Sequence, residues 1–193
     1  MDVVFDGDPA WRVTRELPDG TPYVIRPITP DDREGLQRGF AETSALTRYL
    51  RFGHPTGALS DEELTYLTCV DQKDHVALVA TITTPDLKTE RGIGVARFIR
   101  SKDEHDVAEA AVVIVDDMQH EGVGHALTIE LGKAALARGV TRLRADVLYG
   151  NTTMRAILER FGARPLASGP FDGTITYELD LRSAAAATER GEA

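Results

Sequence analysis

The chain has 193 residues, of which 42% are hydrophobic and 27% are charged, a composition typical of one globular domain with a packed core. Acidic residues outnumber basic ones by 31 to 22, and the resulting net charge of -9 argues against nucleic-acid binding because it repels a phosphate backbone. Neither a basic leader followed by an apolar stretch nor a long apolar run occurs, which predicts a cytoplasmic protein without a membrane partner. The single cysteine, Cys69, lies among apolar residues and is predicted to be a buried structural thiol.

The first part of the chain predicts a strand followed by helices. Residues 1–20 contain turn dipeptides around Trp11 and are interpreted as an N-terminal arm or a short opening hairpin. A strand is predicted over residues 21–28, and the Thr-Pro-Asp-Asp sequence after it is typical of a helix start. The apolar spacing then fits one broken helix or two short ones up to Leu50, and a capping box at residues 60–63 begins a further short helix.

Three apolar strands are predicted in the middle of the chain. Residues 75–83 and 92–100 are rich in valine, isoleucine and alanine and flank a turn, which predicts a hairpin. A third apolar run covers residues 107–115. After a loop that contains glycine, a helix with apolar periodicity from Ala126 is predicted to end at Gly139.

The last part of the chain alternates strands with a helix. A strand is predicted over residues 142–149, a helix over residues 151–161 and a final strand over residues 174–181. Residues 183–193 are rich in alanine but offer no apolar face, which predicts a flexible tail. The order of the elements indicates an α/β (α+β) protein with one domain over residues 21–182.

The loop between the third apolar strand and the next helix is the most informative segment. Its glycines allow a ligand to approach the backbone closely, and the unpaired amides of a helix start attract anions. The Gly-Lys-Ser/Thr of a P-loop and the Gly-x-Gly-x-x-Gly of a dinucleotide site do not occur there, so a pyrophosphate carried by another ligand is predicted. Two glycines alone also fit an ordinary strand-to-helix turn. The loop consists of Gln119, His120, Glu121, Gly122, Val123, Gly124 and His125.

The segment from Val112 to Leu127 resembles the signature of the GNAT superfamily of N-acetyltransferases, which is an apolar strand, Gln/Arg-x-x-Gly-x-Gly/Ala and a helix. Residues 25–28, 48–52 and 64–71 extend the resemblance, over residues 21–181, to the bacterial protein-lysine acetyltransferase branch called Pat. The resemblance implies the GNAT acyl-CoA N-acyltransferase fold, with a mixed central sheet of about six or seven strands flanked by about four helices. It also implies acetyl-CoA as the co-substrate.

The resemblance further implies which residues bind the cofactor. In this family the apolar strand splays at a bulge, and the backbone groups that would bind the pantetheine arm are those of Val112, Val113 and Ile114. The loop that begins at Gln119 would hold the pyrophosphate, and Asn151, at a helix start, would contact the cofactor arm. The position at which many members have a tyrosine that protonates the leaving thiolate is Leu158 here.

Glu109 is the candidate general base. A lone carboxylate within an apolar strand is costly to desolvate, and burial would raise its proton affinity, so it could take a proton from an attacking amine. The Pat branch, which this segment resembles, has its general-base glutamate on this strand. The alternative is that Glu109 pairs with an arginine or faces solvent at a sheet edge. His120 and His125 have no further Cys or His nearby, and no metal site is predicted.

The predicted function is transfer of an acetyl group from acetyl-CoA to an amine, with a protein lysine side chain, for example on an acyl-CoA synthetase, as the preferred acceptor. The alternatives are a small-molecule amine acceptor and a non-catalytic module that senses acyl-CoA. A basic aromatic cluster is interpreted either as a wall of the acceptor site or as ordinary helix packing, and it consists of Arg48, Tyr49, Arg51 and Phe52. The acyl length and the formation of a homodimer stay open.

Overall fold

The chain folds around one mixed β-sheet. The computed structural model describes residues 4–52, 57–83, 90–168 and 173–189. These residues form eight strands, β1 (Val13–Glu16), β2 (Pro22–Pro27), β3 (His75–Thr83), β4 (Glu90–Arg100), β5 (Val107–Ile114), β6 (Arg142–Leu148), β7 (Arg164–Ser168) and β8 (Thr174–Asp180). They also form six α-helices, α1 (Arg33–Glu42), α2 (Ala45–Phe52), α3 (Asp61–Thr68), α4 (Val123–Ala137), α5 (Thr152–Arg160) and α6 (Leu181–Glu189).

The strands follow one another across the sheet in the order β1-β2-β3-β4-β5-β6-β8-β7. Neighbouring strands are antiparallel except for β5 and β6, which are parallel. The predicted mixed α/β class is confirmed, although the sheet has more strands than expected. The additional strands are β1 and β7, which have four and five residues and are too short to give a clear alternating pattern. Among the described helices, none has both the length and the hydropathy that a bilayer crossing requires.

Helices cover the two faces of the sheet differently. Side chains alternate between the faces along each strand, and the set that faces α4 forms one core with it, with some members only partly buried at its margin. The members of this core include Val76, Leu78, Phe98, Ala108, Leu127 and Leu131. The opposite face lies under α1, which contacts β4 and α3 and has no buried residue of its own. Arg97 of β4 and Ala111 of β5 are paired with each other and alternate with the core residues along their strands. Their side chains therefore point to the α1 side.

The N-terminal segment forms the hairpin that was one of the two expectations. β1 pairs with β2, and Phe5 and Trp11 are buried in the same core as α4. Arg15 of β1 forms an ion pair with Glu130 of α4 at 2.9 Å, and Lys133 approaches the same oxygen at 2.9 Å. Glu130 is only 2% exposed, and a buried carboxylate requires such partners. The ion pair therefore ties the hairpin to α4.

Part of the predicted flexible tail, residues 183–189, belongs to helix α6. Leu181 is only 5% exposed and belongs to the core, and Ala184 packs against it. The Asp180 carboxylate accepts a hydrogen bond from the backbone N–H of Ser183 at 2.8 Å, which satisfies an amide of the first turn of α6. The prediction was based on the alanine-rich sequence from residue 183 onward, whereas Asp180 and Leu181, which anchor the helix, precede it. The last four residues of the chain lie outside the described part.

The cysteine also differs from its prediction. Cys69 is exposed because it stands at the C-cap of α3, where the chain leaves the helix. The buried residue at this point is the preceding Thr68, which donates a hydrogen bond from its hydroxyl to the carbonyl of Leu64 at 2.8 Å. An apolar neighbourhood in sequence thus did not place the thiol in the core.

Replacing Leu181 by alanine is expected to lower the free energy of unfolding by about 2–4 kcal/mol, because removing buried methyl groups leaves a cavity. This cavity would lie beside Gly132, where an added Cβ would stand 3.3 Å from Leu181 Cδ2. Urea unfolding measures the effect. Arg182→Ala, at the exposed next position, is the control and should change the free energy by less than about 0.5 kcal/mol. Equal stability of the two variants would show that α6 is not anchored through Leu181.

Candidate active site

β5 and β6 run side by side for only three residue pairs. Residues 107–109 pair with residues 142–144, after which β6 stays paired with β8 and β5 stays paired with β4. The two strands therefore part like the arms of a V. Within the described ranges, no strand pairs with residues 110–114 on the β6 side. The backbone N–H and C=O groups on that edge are available to bind an extended ligand.

The parting of the strands does not come from a bulge in β5, contrary to the prediction. The register between β4 and β5 is continuous over its whole length. The irregularity lies one strand away, where β4 inserts Ile93 opposite the step from Ala80 to Thr81 of β3. The Ile93 carbonyl accepts a hydrogen bond from the backbone N–H of Val115 at 3.1 Å. The bulge thus holds the end of β5 against β4, while β6 follows β8 away from it.

The parted strands open a groove of about 760 Å³. The edges of β5 and β6 form its floor, and the starts of α4 and α5 together with α2 enclose it. The predicted residues that line it are Glu109, Val112, Val113, Ile114, Gln119, His120, Gly122, Gly124, His125 and Asn151. Glu121 and Val123, which were also predicted to bind the cofactor, are not among the lining residues. The Val123 side chain is buried in the core beneath the helix start.

The backbone of the loop brings amide groups to this groove. His120 and Gly122 have left-handed φ angles of 67° and 84°, a region that glycine adopts without strain and histidine only rarely. Gly122 is the N-cap of α4, and the first turn of this 15-residue helix has no acidic side chain and no side-chain cap. The first amides of α4 therefore have no intrahelical acceptor. Together with the helix dipole, they favour an anion at this end of the groove.

A carboxylate beside the loop fastens it to α2. Asp116 accepts hydrogen bonds from the backbone N–H of Ser44 at 3.0 Å and from the hydroxyl of Thr47 at 2.7 Å. Gln119 Nε2 donates to the same carboxylate at 3.2 Å. Burial alone would raise the pKa of Asp116, but the hydrogen bonds from Thr47 and Ser44 hold this pKa below its usual range. Both Thr47 and Gln119 line the groove, so the carboxylate connects two of its walls.

α5 closes the groove opposite the loop. The Asn151 side-chain oxygen accepts a hydrogen bond from the backbone N–H of Met154 at 3.0 Å and caps the helix, which leaves the side-chain amide nitrogen to donate to a ligand. The Phe161 ring stacks on His125 of α4, with 5.0 Å between ring centroids. Leu158 lines the groove at the position where many family members have tyrosine.

Glu109 lies where the strands begin to part, but it is exposed. The predicted burial is therefore wrong, because Glu109 stands at the divergence of β5 and β6 and not within a fully covered strand. Its neighbour in register is Arg144, which pairs instead with Glu104 at 2.5 Å and with Glu178 at 2.8 Å. In the part of the chain that the structure describes, no hydrogen bond or ion pair engages the Glu109 carboxylate. Of the alternatives, the solvent-facing one is observed.

Several groove residues were not identified from the sequence. α2 contributes Leu46, Thr47 and Leu50, whose spacing follows one face of a helix and could have indicated a wall. β6 contributes Asp146, whose carboxylate accepts a hydrogen bond from the hydroxyl of Thr176 at 2.6 Å. Their position depends on strand order, which local patterns do not reveal. Among the described residues, no three His, Cys, Asp or Glu side chains lie together as they would to hold a metal ion.

Of the basic aromatic cluster on α2, the two members whose side chains are described, Arg48 and Tyr49, do not line this groove. Arg48 turns inward, donates to the carbonyl of Thr43 and lies over the Phe40 ring at 5.4 Å. Tyr49 is partly exposed and is not a lining residue. The side chains at positions 51 and 52 lie outside the described part. For Arg48 the packing interpretation is therefore the one observed.

Replacing Gly94 by alanine is expected to destabilise the fold by about 1–3 kcal/mol and to weaken CoA binding. An added Cβ would lie 2.5 Å from Ile114 Cδ1 and 3.2 Å from the Val113 carbonyl oxygen, so the Ile114 side chain must move and the edge of β5 must give by a few tenths of an ångström. Thermal unfolding and calorimetric titration with CoA measure the two effects. Gly92→Ala, on the same strand but with open space around the added Cβ, is the control. Equal thermal stability and equal CoA affinity of Gly94→Ala and Gly92→Ala would contradict the expected crowding at the edge of β5.

Replacing Asp116 by asparagine is expected to lower the free energy of unfolding at pH 7 by about 0.5–1 kcal/mol, because two hydrogen bonds to a solvent-screened carboxylate are weakened. A carboxyl whose pKa is depressed in the folded state stabilises it fully above the ordinary value of 3.8. This contribution is lost as the pH falls through the lower folded-state value. The difference between wild type and variant should therefore shrink below pH 4 in urea unfolding. Asp103→Asn, an exposed site before the start of β5, is the control and should change the free energy of unfolding at pH 7 by less than about 0.5 kcal/mol.

The chain is similar to known acetyltransferases. The family model described as Acetyltransferase (GNAT) domain matches residues 23–164. Acetyltransferase Pat of Mycolicibacterium smegmatis is 37% identical over 148 residues, which cover 73% of this chain and 41% of that protein. This chain thus spans less than half the length of that relative.

Solved structures show the same architecture. The crystal structure of the GNAT domain of S. lividans PAT has a TM-score of 0.80 and 32% identity, and the match covers 89% of this chain and 98% of that one. A cAMP-binding acyltransferase from Mycobacterium smegmatis has a TM-score of 0.59 and 26% identity, over 95% of this chain and 56% of that one. The predicted fold and family resemblance are confirmed by these matches. By its sequence, its parted strands and its glycine loop, the chain belongs to the GNAT family of acetyltransferases.

Proposed function

We propose that this chain transfers the acetyl group of acetyl-CoA to the side-chain amine of a protein lysine. The observation that carries the proposal is that one groove contains both the unpaired edge of β5 and the amino terminus of α4. A pantetheine arm can add to the edge as an extra strand, and a diphosphate suits the helix terminus. Acetyl-CoA, the co-substrate of GNAT acetyltransferases, has both groups.

The cofactor would be bound mainly by backbone groups. The pantetheine arm would pair with residues 112–114, and the amides around Gly122 and Gly124 would hold the pyrophosphate. The Asn151 amide nitrogen, left available by the cap that its oxygen forms, would donate to the arm. Because the loop carries no lysine or arginine, CoA affinity would depend on the orientation of these amides.

In the proposed reaction Glu109 acts as the general base. A lysine amine is protonated near neutral pH, and only its neutral form attacks. The Glu109 carboxylate takes the proton, directly or through one water. The amine nitrogen then bonds to the thioester carbonyl carbon and the C–S bond breaks. The proton that the nitrogen loses as the amide forms passes to the leaving CoA thiolate, directly or through water. The position of Glu109 at the parting of the strands and its place in the lining of the groove support this role.

The surroundings of the groove favour a protein acceptor over a small amine. Leu46 of α2 and Tyr149, which follows β6, are 65% and 64% exposed, and exposed apolar side chains beside a site are typical of interaction surfaces. The net charge of -9 attracts a lysine-rich partner. Similarity to acetyltransferase Pat supports the same acceptor class. Since this chain spans part of that relative, the proposal concerns this domain. A cytoplasmic location and a homodimer stay predictions.

Replacing Glu109 by glutamine is expected to lower acceptor-dependent thiol release from acetyl-CoA by at least about 100-fold, because a general base typically contributes 10²–10⁴ in rate. CoA binding should not change. Thiol release is measured with a lysine-bearing acyl-CoA synthetase as acceptor, alongside calorimetric titration with CoA. Glu16→Gln, an exposed glutamate on β1 at the far edge of the sheet, is the control and should retain full activity.

The outcomes separate the competing functions. Full activity of Glu109→Gln would assign the base to another group. CoA binding without thiol release for any protein or small amine would favour an acyl-CoA-sensing module. Release with small amines alone would favour a small-molecule acceptor, and failure to bind CoA would overturn the proposal.

A further inference from the structure

A second cavity, of about 550 Å³, lies beneath α1 on the sheet face opposite α4. The helix contributes Leu36 and Phe40 to its lining, and the sheet contributes Val79 and Val95, so each wall has an apolar part. Charged residues also line the cavity, namely Arg12, Arg26, Asp31, Asp32, Glu34, Arg38, Glu90 and Arg97. None of the α1 side chains is buried, although Leu36 and Phe40 face the sheet. Side chains of the described residues therefore do not fill the space between helix and sheet.

Two glycines help to keep this space open. Gly35 and Gly39, about one helical turn apart, both line the cavity. An added Cβ would meet no atom within 4 Å at Gly35, and its nearest neighbour would be 3.8 Å away at Gly39. Neither glycine is therefore required by a close contact. Because glycine costs a helix interior about 1 kcal/mol relative to alanine, α1 loses stability at two positions where a side chain would enter the cavity.

The cavity meets the cofactor groove at β5. Ala111 and Val113 line both spaces. They are alternate residues of β5, so their side chains point to the same face of the sheet. At Ala111 only a methyl group stands between them. The proposed function puts the pantetheine arm on residues 112–114 and the base at Glu109, so the thioester would lie beside Ala111.

We propose that the cavity beneath α1 holds the acyl chain of the acyl-CoA, and that this domain accepts straight apolar chains longer than acetyl. The inference rests on the proposed function, since it needs the thioester beside β5. A chain that passes Ala111 would run between the walls formed by Phe40 and Val95. Each methylene buried there strengthens binding by up to about fourfold.

Two of the arginines that line the cavity have side-chain partners in the protein. Arg26 forms ion pairs with Asp32 and Glu90, each at 2.7 Å. Arg97 lies 3.2 Å from His75 Nε2, and burial together with the Arg97 charge lowers the pKa of His75 to about 4. The imidazole is therefore neutral at pH 7. Because Arg26 is already paired with two carboxylates, it is satisfied without an anionic ligand. His75 itself is not a lining residue of the cavity.

The test compares the acyl preference of the wild type with that of two variants that fill the cavity from opposite walls. Gly39→Leu fills it from α1, and Val79→Phe fills it from the sheet. Calorimetric titration with acetyl-CoA and hexanoyl-CoA is combined with thiol release from both, using one lysine acceptor. The wild type should bind hexanoyl-CoA at least about tenfold more tightly than acetyl-CoA. In both variants this ratio should fall to within about twofold of one.

Gln37→Leu is the matched control. It introduces the same side chain on the same helix, at an exposed position that does not line the cavity, and it should keep the wild-type ratio. Thermal unfolding checks that each variant is folded. If overpacking by Val79→Phe prevents folding, Gly39→Leu still tests the proposal, because leucine favours a helix more than the glycine it replaces.

Two results would overturn the proposal. One is equal binding of the two acyl-CoAs by the wild type, or an unchanged ratio in the folded variants. The other is a higher KM for the lysine acceptor in the two cavity-filling variants, while their preference for hexanoyl-CoA over acetyl-CoA stays unchanged. This result would assign the cavity to the acceptor. The binding ratio does not depend on turnover. A preserved preference without amine-dependent thiol release would therefore overturn the proposed function and leave the acyl cavity standing.

Discussion

The separation of β5 from β6 determines where a ligand can bind. β5 keeps β4 as its partner and β6 keeps β8, yet the two strands share only three residue pairs. Both strands are therefore held firmly on their outer sides while their facing edges come apart. Backbone groups that lose a strand partner must find another one or remain in contact with water. An open groove with a rigid polar edge is the outcome, and every proposed contact of the cofactor arm depends on it.

Local patterns in the sequence were sufficient for the elements that surround the groove. The capping box at Ser60 is formed as the sequence indicated, because a cap involves only neighbouring residues. Gly122 begins α4 in a left-handed conformation. The family signature added what periodicity could not, namely that this strand, loop and helix together belong to one groove.

Features that depend on strand order were not predictable in the same way. An apolar neighbourhood suggested that Glu109 is buried, but its exposure follows from the early divergence of β6, which is more than thirty residues away in sequence. The wall provided by α2 has the same origin, since Leu46 reaches the groove only because α2 lies near both β5 and β6. Leu181 anchors α6 by a contact with Gly132 of α4, which no local pattern of alanines could indicate.

The carboxylate of Asp116 links the loop at the cofactor end of the groove to helix α2 on the other side. It accepts hydrogen bonds from Thr47 on α2 and from Gln119 in the loop, so an anion that orders the loop also restrains the helix that borders the acceptor side. Such a coupling free energy is the same in both directions. An acceptor that presses on α2 would in turn hold the cofactor more firmly. In the proposed function, this shared carboxylate would couple the binding of the two substrates without any movement of the sheet.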